Sequence, residues 1–156
     1  LKRVTLHRDG EPLLDKKLPS RIAKFRDNGM NNTSIATNVS LLNEKKSREL
    51  LEAGIGSILM SVDSLKKEVF EKIRVRLNFE EVRDNTIKFF ELRDKINPKC
   101  QIWIRMIRQE SNYKEWDEYL NFWKKYTSAG DRVYYSNIYN WGGQLENFKP
   151  IEKTLT

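Results

Sequence analysis

The sequence predicts an α/β protein in which parallel strands alternate with helices, either in an open sheet or in a barrel. Short apolar runs recur along the chain, and a segment with apolar residues at helical spacing follows each of the first four. No internal repeat, low-complexity segment or long Gly/Ser linker interrupts this alternation. Alternation of this kind is typical of βαβ units, in which successive strands run parallel.

Five strands are predicted, each from a run of apolar or alternating residues. They lie near residues 3–7, 33–37, 57–62, 101–107 and 132–135. Because βαβ crossovers are short and right-handed, we expect these strands to be parallel and in sequential order, with all helices on the outer face.

The helices between the strands are predicted from apolar spacing and from their terminal residues. Asn43 is a candidate N-cap and Gly54 a candidate C-cap of one helix, and Asn78 opens another that ends before Pro98. The aromatic residues of the last helix are expected to pack in the core. The predicted helices cover about residues 16–28, 43–54, 65–73, 79–96 and 113–126.

Length and composition exclude several classes of protein. With 156 residues, the chain is long enough for one domain with a core and too short for two ordinary ones. Four Trp, seven Phe and six Tyr exclude a disordered chain, although 33% of the residues are charged. No apolar run approaches the roughly 18 residues of a membrane span, so no membrane association is expected.

The charge balance is basic. The chain carries 29 Lys and Arg against 22 Asp and Glu, a net charge of +7, which favours acidic partners. The excess is spread over helices that also carry acidic residues, and no stripe of basic residues has aromatics between them. Nucleic-acid binding is therefore not expected. A non-catalytic basic α/β module that binds an acidic partner stays open as an alternative function.

Polar residues follow each of the first four predicted strands. Because the carboxyl ends of parallel strands meet at one edge of an α/β sheet, where ligands bind, these residues form a candidate site. Helix capping and turn formation are the alternative roles of each group. The groups are residues 8–14, 37–40, 61–64, and Arg105 with Arg108.

The order and spacing of these groups resemble the radical S-adenosylmethionine (radical SAM) superfamily, in the branch often followed by a SPASM-type cluster domain. In that family a GGEP-like element follows the second barrel strand, a TN(G/A)xLL element follows the third, and an S(I/L/V)D element ends the fourth. The runs TLHRDGEPLLDKKL and ATNVSLLNEKKSRELLEAGIGSILMSVDS place such elements in this order, and NIYNWGG at 137–143 resembles the stretch leading toward the SPASM region. The resemblance covers roughly residues 3–143.

The resemblance implies a partial (β/α)6 TIM-like barrel whose first strand is missing, over residues 1–143, with 144–156 as a tail or linker. It implies an enzyme of the cytoplasm that binds S-adenosylmethionine. In the family, a reduced 4Fe–4S cluster cleaves this cofactor to a 5′-deoxyadenosyl radical, which abstracts hydrogen from a substrate. Here the substrate is unknown, a peptide or a small molecule.

Two departures from the family pattern stand out. Asp9 replaces the first Gly of the GGEP-like element, and the CxxxCxxC loop that ligates the cluster is absent. The single cysteine, Cys100, cannot supply the three or four thiolates that a 4Fe–4S cluster needs. We therefore expect a fragment that is inactive by itself and becomes active only with the missing cluster loop.

The turn at residues 10–12 supplies the first candidate contacts to the cofactor. The ammonium of S-adenosylmethionine needs anionic or carbonyl acceptors, which Glu11 and its neighbouring backbone offer. Gly10 lets the backbone approach closely, and Pro12 fixes the turn. The family places a corresponding Glu at the amino group, while a surface Glu in a tight turn is the alternative.

The next candidates follow the second and third predicted strands. Ser61 and Asp63 are two residues apart, so both side chains point to one face of a strand. The resemblance places them near the ribose and carboxylate of the cofactor, with helix capping by Asp63 or Ser64 as the alternative. Thr37 and Asn38 sit at a strand end and are expected near the ribose, although a turn role for Asn38 is equally open.

Two arginines complete the predicted site. Arg74 is expected to pair with the cofactor carboxylate, with nearby Arg76 as the competing choice and a plain surface role also open. Arg105 alternates with apolar residues on a strand, so it needs either a substrate anion or a structural carboxylate. His7, the only histidine, and Cys100 are expected to be structural.

Overall fold

A computed structural model describes residues 3–7 and 9–137 of the chain, and in it five strands form one sheet. The sheet order is β1-β2-β3-β4-β5, and every neighbouring pair is parallel. The predicted fold class, strand order and strand direction are confirmed. The predicted boundary at residue 143 lies outside the described residues. The strands are β1 (Val4–Thr5), β2 (Thr33–Thr37), β3 (Ser57–Ser61), β4 (Gln101–Arg108) and β5 (Arg132–Asn137).

The helices follow the predicted segments. The predicted helix over 113–126 begins instead as a short 3-10 turn at Tyr113–Glu115 and continues as α-helix only from Trp116 to Lys124. A second 3-10 turn, Pro12–Leu14, follows β1. The α-helices are α1 (Leu18–Asp27), α2 (Glu44–Ala53), α3 (Lys67–Ile73), α4 (Phe79–Ile96) and α5 (Trp116–Lys124).

The predicted caps are confirmed. The side-chain oxygen of Asn43 accepts a hydrogen bond from the backbone N–H of Lys46, and that of Asn78 accepts one from Glu81. Each bond satisfies an N–H that the first turn of a helix leaves unpaired. Gly54 ends α2 with φ +87°, a left-handed conformation that glycine adopts without the penalty of a Cβ atom.

The two faces of the sheet differ in character. Alternate residues of the central strands, such as Ile58 and Ile104, are fully buried and share one core with Leu50 of α2, Phe89 of α4 and Trp123 of α5. The helices therefore cover this outer face, as expected. The opposite, inner face carries the remaining alternate residues, which are largely polar or aromatic.

A buried ion pair closes the end of the sheet where the strands begin. Arg93 is 2% exposed and Asp131 is 1% exposed, and their side chains meet at 2.7 Å. Arg93 also donates to the carbonyl of Cys100, and Asp131 accepts from the backbone N–H of Ile102. The pair thereby joins α4 to the loop before β5 and to the start of β4.

Replacing Asp131 by Ala should lower the free energy of unfolding by about 3–5 kcal/mol, because it leaves the Arg93 guanidinium buried without its partner. Asp94→Ala is the matched control, since Asp94 contacts the same arginine but is 57% exposed. The control should cost no more than about 1 kcal/mol. Urea denaturation measures both, and equal losses would contradict the assignment.

Candidate functional site

The carboxyl ends of β1 to β3 meet at one edge of the sheet. We call residues 10–12, 37–38, 61–63 and 74 at this edge the rim. At its centre the Glu11 carboxylate accepts hydrogen bonds from the backbone N–H of Leu13 (3.1 Å), the Thr37 hydroxyl (2.8 Å) and the backbone N–H of Asn38 (2.9 Å). A carboxylate has about four acceptor positions, and among the described residues the Oε2 atom accepts only from Asn38, which leaves one position available there. Glu11 thus ties the loop after β1 to the end of β2 and can still accept from a ligand.

The residues beside Glu11 shape its turn. Gly10 has φ +81°, and an added Cβ there would meet nothing within 4 Å, so the backbone conformation is what calls for glycine. Pro12 begins the 3-10 turn at the position where a missing N–H costs nothing. Together they hold the Glu11 side chain against β2.

Thr37 and Asn38 occupy different environments. Thr37 is 3% exposed, and its hydroxyl donates to Glu11 and accepts from the N–H of Val39. Its side chain is therefore fully engaged within the protein. The side-chain oxygen of Asn38 accepts from the N–H and the hydroxyl of Ser40, which makes the turn that the sequence left open. Asn38 remains partly exposed at the rim.

Asp63 is 1% exposed, and both of its carboxylate oxygens have protein partners. One accepts from Nε of Arg74 at 2.6 Å, and the other accepts from the backbone N–H of Ile107 at 2.7 Å. These partners offset the cost of burying the charge without any ligand. The alternative role of Asp63 as a helix cap is wrong, because the N-cap of α3 is Lys66 and no side chain caps this helix.

The structure separates the two candidate arginines. Arg74 reaches Asp63 with its Nε atom and keeps 27% of its side chain exposed. Arg76 is exposed in a turn with φ +69°. Of the two arginines, therefore, only Arg74 has a hydrogen bond to a rim residue in the described part of the chain.

Arg105 projects from the inner face of β4 beside Ser61. One terminal nitrogen donates to the Ser61 hydroxyl at 3.2 Å, and its Nε atom is buried without a hydrogen-bond partner among the described residues. The structural carboxylate that the sequence offered as one alternative is not found in the described part of the chain. As expected, His7 has a structural role, since its Nδ1 atom accepts a hydrogen bond from the backbone N–H of Ala36.

Sequence reasoning missed three side chains that hold the segment after β3. Asn112, 1% exposed, donates to the carbonyls of Asp63 and Ile107. Glu115 accepts from the Ser64 hydroxyl at 2.6 Å. Tyr119 donates to the carbonyl of Val62 at 2.6 Å, and burial raises the pKa of its phenol well above the usual value. All three lie about 50 residues along the chain from the segment after β3 that they contact, so no local sequence pattern indicates these contacts.

The donor set does not fit an iron–sulfur cluster. Cys100 is 1% exposed and lies just before β4, at the opposite end from the rim. Burial raises the pKa of its thiol to about 12, whereas a cluster ligand must be a thiolate. No group of three or more His, Cys, Asp or Glu suited to a metal occurs among the described residues.

A cavity of about 660 Å³ lies at the end of the sheet where the strands begin, and it is distinct from the rim. Arg26, Gly54 and Gln101 are among its lining residues, and none of the predicted site residues lines it. Arg26 donates there to the carbonyls of Glu52 and Ala53 at the end of α2. The cavity therefore belongs to the connections between helices and strands.

The sequence profile of the radical SAM superfamily matches residues 2–122. The chain belongs to the radical SAM superfamily. The family resemblance, the partial TIM-like barrel and the family's cofactors, S-adenosylmethionine with a 4Fe–4S cluster, are thereby confirmed at the level of the family. None of the helices within residues 3–7 and 9–137 is long and apolar enough to cross a membrane.

The chain is similar to part of several longer curated proteins. GTP 3′,8-cyclase of Limosilactobacillus fermentum is 31% identical over 142 residues, which cover 90% of this chain and 40% of that protein. A probable GTP 3′,8-cyclase of Methanococcus maripaludis is 37% identical over 83 residues, which cover 53% of this chain and 28% of that protein. The chain thus spans well under half the length of these relatives.

Solved structures share the fold. The crystal structure of SuiB from Streptococcus suis superposes with a TM-score of 0.63 at 20% identity, covering 88% of this chain and 30% of that one. Two further SuiB structures, bound to S-adenosylmethionine and to the precursor peptide SuiA, give TM-scores of 0.58 and 0.60. At this identity the likeness establishes the barrel architecture.

Arg74→Ala should destabilise the protein by about 2–3 kcal/mol, because Asp63 would stay buried without its cation; the exposed part of Arg74 keeps the loss below that of a fully buried pair. Arg76→Ala is the matched control and should change the free energy of unfolding by no more than about 0.5 kcal/mol. Urea denaturation followed by circular dichroism compares the two. A loss in the control as large as in Arg74→Ala would count against the Asp63 contact.

Cys100 should resist alkylation by iodoacetamide at pH 8 in the folded protein, because a thiol with a pKa near 12 forms almost no thiolate there. In urea the same residue should react at the rate of an ordinary cysteine. Mass spectrometry of the intact chain follows the reaction. Native labelling as fast as the denatured reaction would show that Cys100 is accessible.

Proposed function

We propose that the rim holds S-adenosylmethionine and that the chain contributes this site to a radical SAM enzyme. The proposal rests above all on Glu11, a half-buried carboxylate that is fixed by three hydrogen bonds and keeps an acceptor position free. A fixed, partly desolvated anion is suited to the ammonium of the cofactor, since charge-assisted hydrogen bonds are the stronger ones. The family assignment supports the same ligand.

The other rim residues divide between contact and support. Arg74 is proposed to bind the cofactor carboxylate with its two terminal guanidinium nitrogens, while Asp63, which accepts from Nε, fixes its orientation. Asn38 and Ser61 are proposed to face the ribose hydroxyls. Thr37 is proposed to support Glu11 and not to contact the ligand, because its hydroxyl already donates one hydrogen bond and accepts another within the protein.

Backbone groups and the inner face complete the proposed site. In the turn at residues 10–12 the carbonyls of Glu11 and Pro12 accept from the N–H groups of Leu14 and Asp15, so the carbonyl of Gly10 is the main-chain acceptor proposed to contact the ligand. Arg105 is proposed to reach the cofactor or its substrate from the inner face. When bound, the cofactor supplies the radical chemistry of the family, and the residues of this chain bind it, orient it and limit the access of water.

The substrate and the cellular location belong to the same proposal. The names of the relatives point to GTP for the cyclases and to a precursor peptide for SuiB, so a small molecule and a peptide are both candidates here. We propose a cytoplasmic enzyme. The basic binding module is set aside, since membership of an enzyme family favours catalysis over passive binding.

Glu11→Ala in the full-length, cluster-containing protein should weaken binding of S-adenosylmethionine by about 1.5–3 kcal/mol, the worth of a hydrogen bond to a charged group. Isothermal titration calorimetry measures the dissociation constant. Glu11→Gln, which keeps one acceptor oxygen and loses the charge, should fall between the wild type and Glu11→Ala.

Glu118→Ala, an exposed glutamate of α5, is the matched control and should bind as the wild type does. Circular dichroism establishes that each variant is folded before titration. Unchanged affinity in a folded Glu11→Ala protein would remove Glu11 from the site.

A further inference from the structure

The inner face of the sheet carries a cavity of about 140 Å³ below the rim. It lies on the side away from the helices, between the first four strands. At about 30 Å³ for each water in the liquid, it has room for four or five molecules of water. Its polar lining consists of Arg3, Thr5, His7, Ser34, Ser57 and Trp103.

The charge around this cavity is positive. The guanidinium carbons of Arg3 and Arg132 lie 4.3 and 5.3 Å from the centroid of the Trp103 ring. Arg105 follows Trp103 by two residues on the same face of β4. No aspartate or glutamate lines the cavity, and none forms an ion pair with these three arginines within the described ranges.

Several hydrogen-bonding groups there have no partner. The Ser57 hydroxyl belongs to a residue that is 3% exposed, and it is unpaired among the described residues, as is Nε1 of Trp103. Nε of Arg105, which lies farther along the same face at the level of Ser61 and outside the cavity lining, is also unpaired there. Buried polar groups are normally paired, so unpaired ones at a single face call for an explanation. Two of these three can only donate.

His7 adds another donor. Because its Nδ1 atom accepts from the N–H of Ala36, the neutral ring carries its proton on Nε2. The lining therefore offers donors and positive charge without a matching acceptor from an acidic side chain. A ligand that satisfies it must bring acceptors and negative charge.

We infer that this cavity binds one oxyanion, a phosphate or carboxylate group. Its volume suits a single group of four or five heavy atoms, and the Arg3 guanidinium and the Trp103 indole N–H, which both line it, can supply charge-assisted hydrogen bonds. Ser57 and Ser61 mark the two ends of β3, about 13 Å apart at the rise of an extended strand. Ser57 and Leu59 both line the cavity, so the anion lies about 7–13 Å below Ser61 at the rim.

The assignment of this anion to the substrate rests on the proposed function. A molecule whose reacting carbon faces a cofactor at the rim, and whose anionic group fills the cavity, extends down the inner face past Arg105. The substrate class is then an anionic molecule long enough to span β3, with its charge remote from the carbon that reacts.

The test is calorimetric titration of the full-length protein with inorganic phosphate and, in a separate arm, with acetate, both at low chloride. Tighter binding of phosphate assigns a phosphate group, and tighter binding of acetate assigns a carboxylate. Ser57→Ala should weaken binding of the preferred anion by about 3- to 10-fold, and Arg3→Gln by about tenfold or more, because both residues line the cavity. Arg48→Gln, which removes an exposed arginine from α2, is the matched control and should bind as the wild type.

Ser57→Ala also gives a second readout. Since its hydroxyl is unpaired without a ligand, the variant should unfold at the same or a higher urea concentration while it binds the anion less well. Lower stability together with unchanged anion affinity would overturn the inference. So would the absence of binding to either anion, or an equal loss in Arg48→Gln.

The inference and the proposed function fail separately. S-adenosylmethionine is titrated into the same samples in the presence and absence of the anion. Binding of the cofactor without binding of either anion rejects the anion site alone. Binding of the anion without the cofactor leaves the anion site standing and rejects the proposed function of the rim.

Discussion

The buried carboxylate of Asp63 is the constraint on which the rim depends. It accepts from Arg74 on one oxygen and from the N–H of Ile107 on the other, so it joins the end of β3 to the end of β4 and to the turn after α3. Asn112 reinforces this junction by donating to the carbonyls of the same two residues, Asp63 and Ile107. Glu11 likewise joins the loop after β1 to the end of β2, since it accepts hydrogen bonds from both segments. Two carboxylates thus fix four strand ends relative to one another.

These two carboxylates differ in what they leave open. Asp63 is inaccessible to solvent, and its charge is paired with Arg74 inside the protein. This contact orients the partly exposed Arg74 side chain. Glu11 is only half-buried and keeps an acceptor position. An arrangement of this kind separates the residue that holds a site together from the residue that contacts a ligand, and it lets both be acidic without competing for the same cation.

Much of the fold was predictable from the sequence because it depends on local patterns. Strand runs, the Asn43 and Asn78 caps and the Gly54 terminus are encoded within a few residues, and each was confirmed. The candidate site was predictable in composition but not in connectivity. The Asp63–Arg74 pair and the Glu115–Ser64 bond join distant segments, and only the packed structure brings them together. The 3-10 turn before α5 likewise coincides with contacts of Glu115 to Ser64 and Leu65, about 50 residues away in sequence.

Val39 illustrates a different relation between sequence and backbone. It is fully buried with φ +70°, a conformation that costs a β-branched residue on the order of 1–2 kcal/mol, and it stands where the family element has Gly or Ala. The Thr37 hydroxyl and the Asn85 amide hold its N–H and carbonyl, while its side chain fills the core. The left-handed turn therefore forms here without a glycine, and the core packing of the Val39 side chain together with these two hydrogen bonds offsets its backbone strain.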